Sequence, residues 1–178
     1  MLKSSILILT ALALGSVGSA RAQTSPAAGG LTDPQIAMIA VTADSIDIEA
    51  GKLAEQKATS KEVKEFGATM VRDHTAVNAK ATALAKKLNV TPEESATSKS
   101  LKADADAMLT KLKGLSGAEF DKAYVDNEVA YHEKVIDAVT KTLIPNTKNA
   151  ELKALLESAG PIFTSHLEHA KHLQASLK

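Results

Sequence analysis

Cysteine and tryptophan are absent from the 178 residues, and aromatic residues account for only 3% of them. Without Cys there is no disulfide, thiolate nucleophile, zinc-finger site, Cys-ligated cluster, c-type haem attachment or lipidated N-terminal Cys. An excess of charge is missing too: 21 Lys and Arg balance 21 Asp and Glu, without a run of like charges. That balance argues against a phosphate-tracking nucleic-acid binder and against a polybasic membrane-surface protein. No apolar run reaches the roughly 20 residues that span a bilayer, and no stretch alternates as a strand would. A Gly-rich phosphate loop, a Gly-x-Ser-x-Gly elbow and a His-Glu-x-x-His motif are likewise missing, so no reaction step can be assigned.

What is present begins with an address. Lys3 supplies a positive start, Ile6 to Leu14 a short apolar stretch, and Ala20-Arg21-Ala22 a small-residue cleavage triplet. Residues 1–22 therefore read as a signal peptide cut before Gln23, with Ala20 as the competing cut. Residues 23–31, rich in Ser, Ala, Gly and Pro, read as a flexible tether, and residues 32–178 as a single domain. The expectation is a periplasmic or secreted protein without a transmembrane helix in its mature form. Removing Lys3 and Arg21 leaves 19 basic (21 − 2) against 21 acidic residues, a net charge of −2, which reinforces the exclusion of nucleic acid.

Ala, Lys, Leu and Glu dominate the remainder, with apolar residues at three- and four-residue steps, the pattern of amphipathic helices. A first helix is expected from Asp33 as N-cap to about Ala58, with Ile36, Ile39, Ala43, Ile46, Ala50 and Leu53 inward. Thr59 to Glu62 reads as a capping box opening a second helix to Leu88. Gly51 and Gly67, each eight residues from Thr59, either let these two helices approach closely or are merely tolerated. A shorter crossover helix carries Leu101, Ala105, Met108, Leu109 and Leu112. Ser116 to Glu119 reads as another capping box, opening a helix to about Leu143. After Pro145 and Asn146 comes a last helix that Pro161 bends or divides. Two antiparallel hairpins joined by a crossover give an all-α, ferritin-like four-helix bundle. The alternative is an extended helical hairpin that dimerises.

Polar residues at core positions are the informative ones, because burying them without partners is costly. Projected at 100° per residue, His74, His132 and His166 each fall mid-stripe on a different long helix. Asp47 lies near the edge of the first helix's inward face, while Asp121 and Glu128 share the stripe of His132. Imidazole with carboxylate suits one ion of zinc, copper or iron, so these six residues form a candidate metal site. The positions three before the histidines are Val71, Val129 and Phe163. The Glu-x-x-His signature is thus missing, which argues against a di-iron centre. Counted across a turn at Pro145, His132 and His166 differ by eight residues, about 12 Å along the axis. The competing reading is neutral core histidines bonded to neighbours such as Asp73 or Asn78, in an envelope module that binds another protein or itself. His169 and His172 read as solvated, Met38, Met70 and Met108 as gap-filling, and Tyr124 and Tyr131 as packing residues with hydroxyl handles.

Taken together, Asp47-Ile48-Glu49-Ala50-Gly51-Lys52-Leu53-Ala54, Met70-Val71-Arg72-Asp73-His74 with Asn78, Phe120-Asp121-Lys122-Ala123-Tyr124 with Val129 and His132, and Pro161 with His166-Leu167 resemble the domain-of-unknown-function 4142 family. The resemblance spans about Leu31 to Leu177. It implies export and a ferritin-like helical bundle, and brings no established reaction. It picks out Asp47, His74, Asp121, His132 and His166, all of which the stripe analysis also selects.

Overall fold

The computed structural model describes residues 30–177; the expected signal peptide and most of the tether lie outside the described residues. Among the described residues the chain is all-helical, without strands. Helix α1 spans Asp33–Lys57, α2 Lys61–Lys87, α3 Ala96–Gly114 and α4 Gly117–Ala138. Then follow a π-helical turn, Val139–Leu143, the single turn α5, Ile144–Asn146, and α6, Ala150–Ser176. None of these helices is long and apolar enough to cross a membrane.

The helix ends correct three sequence expectations. The N-cap of α1 is Thr32, which forms a capping box with Gln35. Asp33, expected there, instead accepts from the N–H groups of Lys148 and Asn149, 2.8 Å from each, and ties the start of α1 to the approach to α6. The N-cap of α2 is Ser60 and not Thr59; its hydroxyl accepts from Val63 N–H and donates to Glu62. At α4 the expected capping box does not form, since Ser116 makes no side-chain cap bond. The chain enters that helix through Gly117 at φ +59°, a left-handed conformation that glycine adopts without a Cβ clash.

Helix α6 is one continuous helix through Pro161, not two pieces. Pro161 lies on the exposed side, where the Glu157 carbonyl that loses its N–H partner can turn to water. Between α1 and α2 the close approach is real. A Cβ on Gly51 would lie 2.7 Å from the Gly67 carbonyl oxygen, and one on Gly67 would lie 2.8 Å from both the Gly51 oxygen and the Ala54 methyl. Only hydrogen fits there.

Burial follows a layered order. One apolar cluster contains Ala50 and Ala54 of α1, Val63, Phe66 and Met70 of α2, Phe120 and Tyr124 of α4, and Ala170 and Leu173 of α6. The other contains Ile36 and Ile39 of α1, Val77 of α2, Val139 and Leu143 of the π turn, and Leu152, Leu156 and Phe163 of α6. Along every long helix except α3, the residues between these clusters are polar and buried: Asp44 and Asp47, His74, Glu128 and His132, and His166. Neighbouring helices cross that layer in opposite directions, as antiparallel hairpins require. The core is thus apolar at both ends and ionisable in the middle.

Candidate metal centre

Helix α2 delivers His74, α4 delivers His132 and α6 delivers His166 to the polar layer. Their ring centroids lie 5.7 Å (His74 to His132), 5.2 Å (His74 to His166) and 5.5 Å (His132 to His166) apart, a nearly equilateral triangle. One nitrogen of each ring is anchored from outside. His74 Nδ1 lies 2.7 Å from Asp44 Oδ1, His132 Nδ1 lies 3.0 Å from the Glu128 backbone oxygen, and His166 Nε2 lies 3.0 Å from Asp73 Oδ2. The other nitrogens, His74 Nε2, His132 Nε2 and His166 Nδ1, are buried with no hydrogen-bond partner. An N–H that donates outward fixes the tautomer and leaves the second nitrogen with a lone pair facing in. One ligand atom from each ring lies within 4.8 Å of those from the other two. Phe163 closes one side, stacked on His74 at 5.4 Å with the planes 7° apart.

Carboxylates complete the layer. Asp47, Glu128 and His132 form a second group with ligand atoms within 4.8 Å, sharing His132 with the triangle. Asp47 Oδ2 is 3.4 Å from His74 Nε2, and Glu128 Oε2 is 3.5 Å from His132 Nδ1. Glu128 is wholly buried, and neither of its side-chain oxygens has a partner. The hydroxyl of Tyr124 is buried and unpartnered as well, whereas that of Tyr131 donates to the Ala43 carbonyl at 3.1 Å.

Electrostatics follow from this crowding. Burial raises the Glu128 carboxyl to about 8. Burial first, then the neighbouring Glu128 and Asp44 charges, raise Asp47 well above the usual carboxylate range. Burial also raises Asp44, opposed by its bond to His74. His132 is lowered to about 3, by burial and then by repulsion from His74. Burial lowers His166 as well, with Asp73 pulling the other way. The Arg72 guanidinium, and less so His166, hold Asp73 below its ordinary range. Burial thus favours the neutral forms of His132 and His166, whose ring nitrogens are then able to coordinate, beside carboxyls pushed toward their protonated forms.

Of the six residues expected from sequence, the structure brings five together: His74, His132, His166, Asp47 and Glu128. Asp121 sits elsewhere. Its carboxylate accepts from Thr59 N–H, the Thr59 hydroxyl and Ser60 N–H at 2.6–3.0 Å, capping α2 from the side of α4. The sequence reading missed Asp44. Its signal was Gly51, seven residues on and therefore on the same face of α1, already suspected of facing α2.

A solved structure described as "CopM in the Cu(II)-bound form" has a similar fold. The TM-score is 0.64 at 14% sequence identity, over 84% of this chain and 99% of that one. No curated protein shows significant similarity. A family described as "Domain of unknown function (DUF4142)" matches residues 18–173, nearly the whole chain, and the protein belongs to that family.

Proposed function

We propose that this is an exported metal-binding protein in which His74, His132 and His166 hold one transition-metal ion, with Asp47 and Glu128 as accompanying carboxylates. The observation that carries the reading is that three imidazole rings form one buried triangle, each anchored through one nitrogen and left with a second, buried nitrogen without a partner. Three orphaned acceptors in one core would each cost stability, so a shared cation accounts for all of them at once. Geometry is compatible. Even at the full 4.8 Å separation, a point equidistant from the three nitrogens lies about 2.8 Å from each, about 0.7 Å beyond a metal–imidazole bond. A small inward movement of each ring closes that gap.

Imidazole-rich sites accept copper, zinc and iron. The Cu(II) named for the structurally similar CopM makes copper the first candidate. Once a divalent ion displaces their protons, the Asp47 and Glu128 carboxylates balance its charge, which favours a dication in this buried site. The helices would then form a ferritin-like four-helix bundle, with residues 1–22 as the export leader, 23–31 as the tether and the periplasm as destination.

The test is titration of chelator-stripped protein with Cu(II) and Zn(II), followed by dialysis and elemental analysis. One equivalent retained by the native chain, and lost in His132→Ala and His166→Ala, is the expected result. Retention unchanged in both variants, or no retention by the native chain, would reduce the histidines to core residues.

A further inference from the structure

Beyond the metal layer, the half of the molecule containing the second apolar cluster holds a cavity of about 770 Å³. Protein interiors are close-packed, with few voids larger than a water molecule, so a space of this size needs an explanation. It lies within the range of small-molecule sites. The sequence makes it by placing small residues where the helices face one another: Ala37, Ala40 and Ala43 on α1, Ala81 and Ala85 on α2, and Ala105 on α3. Larger apolar side chains around them, including Leu84, Leu101, Met108, Val135 and Leu155, are only half-buried. On α1 the lining runs from Asp33 to Ile46, fourteen residues whose thirteen steps of about 1.5 Å make about 20 Å. The space is therefore long and narrow.

Its polar groups constrain the head of any ligand. Exposed Thr97 and Asp104 of α3, with exposed Lys134 of α4 and Thr142 of the π turn, are among the lining residues. Asp33 and Asp44 also line the space, but the first already accepts from the Lys148 and Asn149 N–H groups and the second is bonded to His74, so the free charges are Asp104 and Lys134, one of each sign, and neither an anionic nor a cationic head is favoured. Tyr131 also lines the space, and its hydroxyl is the polar group of that side chain. Having donated its proton to the Ala43 carbonyl, it can still accept one from a ligand. The cavity wall includes Asp44 and Phe163, both in contact with His74, so the two sites share a wall.

We propose that this cavity is a second binding site, for an elongated, uncharged aliphatic molecule ending in a hydroxyl group, which donates to Tyr131. The site exists without the metal and does not depend on it.

The metal-free chain is titrated with the uncharged fluorophore N-phenylnaphthylamine, and the bound probe is displaced with decanol, decanoic acid and decylamine. Saturable probe binding is expected, with decanol displacing it at concentrations at least tenfold below the acid or the amine. Ala40→Phe and Ala81→Phe fill the space from two helices. Each should weaken probe binding at least tenfold with the helical circular dichroism spectrum unchanged. Tyr131→Phe should reduce the advantage of decanol over decane while leaving probe binding intact. Three results would each overturn the proposal: no saturable probe binding; binding that folded Ala40→Phe and Ala81→Phe proteins retain in full; or displacement led by the acid or the amine. Because the readout is taken without metal, failure of the metal reading leaves this one standing, and the converse holds.

Discussion

Glu128 makes the stability of the fold depend on pH, because it is a wholly buried carboxyl without a hydrogen-bond partner. Its value is raised from 4.5 to about 8 by burial. Between those values the folded chain keeps a proton that the unfolded chain has released. Stability is therefore full below about 4.5, falls as pH rises through that window, and levels off above about 8. His132 acts with the opposite sign. Lowered from 6.5 to about 3, it makes stability rise with pH up to about 6.5 and contributes no slope above that. The two cancel between about 4.5 and 6.5, leaving Glu128 alone from 6.5 to 8, where 1.5 units at about 1.4 kcal/mol each give a loss of about 2 kcal/mol. Asp47 is raised in the same direction, so its contribution to the pH dependence has the same sign. Urea unfolding of metal-free protein, followed by circular dichroism at half-unit steps from pH 5 to 9, measures it. Glu128→Gln keeps the shape of the protonated acid and cannot ionise, so its stability should stay flatter by about 2 kcal/mol across 6.5–8. A native chain whose stability does not fall in that window, or a Glu128→Gln profile parallel to it, would refute the assignment of a neutral, buried Glu128.

Three further outcomes separate ligand, support and scaffold. Asp44→Asn disturbs the bond that orients His74, so metal affinity should fall roughly 10–100-fold with stoichiometry unchanged, as read by competition with a chromophoric chelator. Asp121→Ala removes the acceptor for Thr59 and Ser60 and should cost about 1–3 kcal/mol in urea unfolding, while metal affinity is unaltered; a loss of affinity would place Asp121 in the site after all. Gly51→Ala puts a methyl group against the Gly67 carbonyl and should destabilise by about 1–3 kcal/mol, seen as a lower denaturation midpoint with the slope unchanged.

The helices and the mid-stripe histidines were legible because period and burial agree along α2, α4 and α6. Helix α1 was harder to phase. Taking Leu53 and Ala43 as inward put Asp44 out of view, yet both are half-buried while Asp44, Gly51 and Ala54 face the interior. An acidic residue on a buried face carries no apolar mark, so only its partner, His74, explains it. The axial distance between His132 and His166 was overestimated for a different reason. Pro145 is not where the chain reverses: the π turn and α5 carry it further, and the reversal lies at Thr147 to Asn149. Counted from Lys148, His132 is 16 residues back (148 − 132) and His166 is 18 forward (166 − 148), a mismatch of about 3 Å. Local propensity marked the proline and could not mark the π turn. Asp121 was misplaced because a stripe position reports burial and not the neighbour across the interface, here the exposed N–H groups at the start of α2.

The three histidines are separated by 58 residues (132 − 74) and 34 residues (166 − 132) of chain, and they meet only where both hairpins are docked. Loops of that length close slowly relative to helix formation. No helix, and no single hairpin, presents more than two of the imidazoles. On the proposed reading, capture of an ion through all three would be a late event in the life of the molecule, available to the finished fold and closed to the nascent chain. Occupancy would then report that assembly is complete.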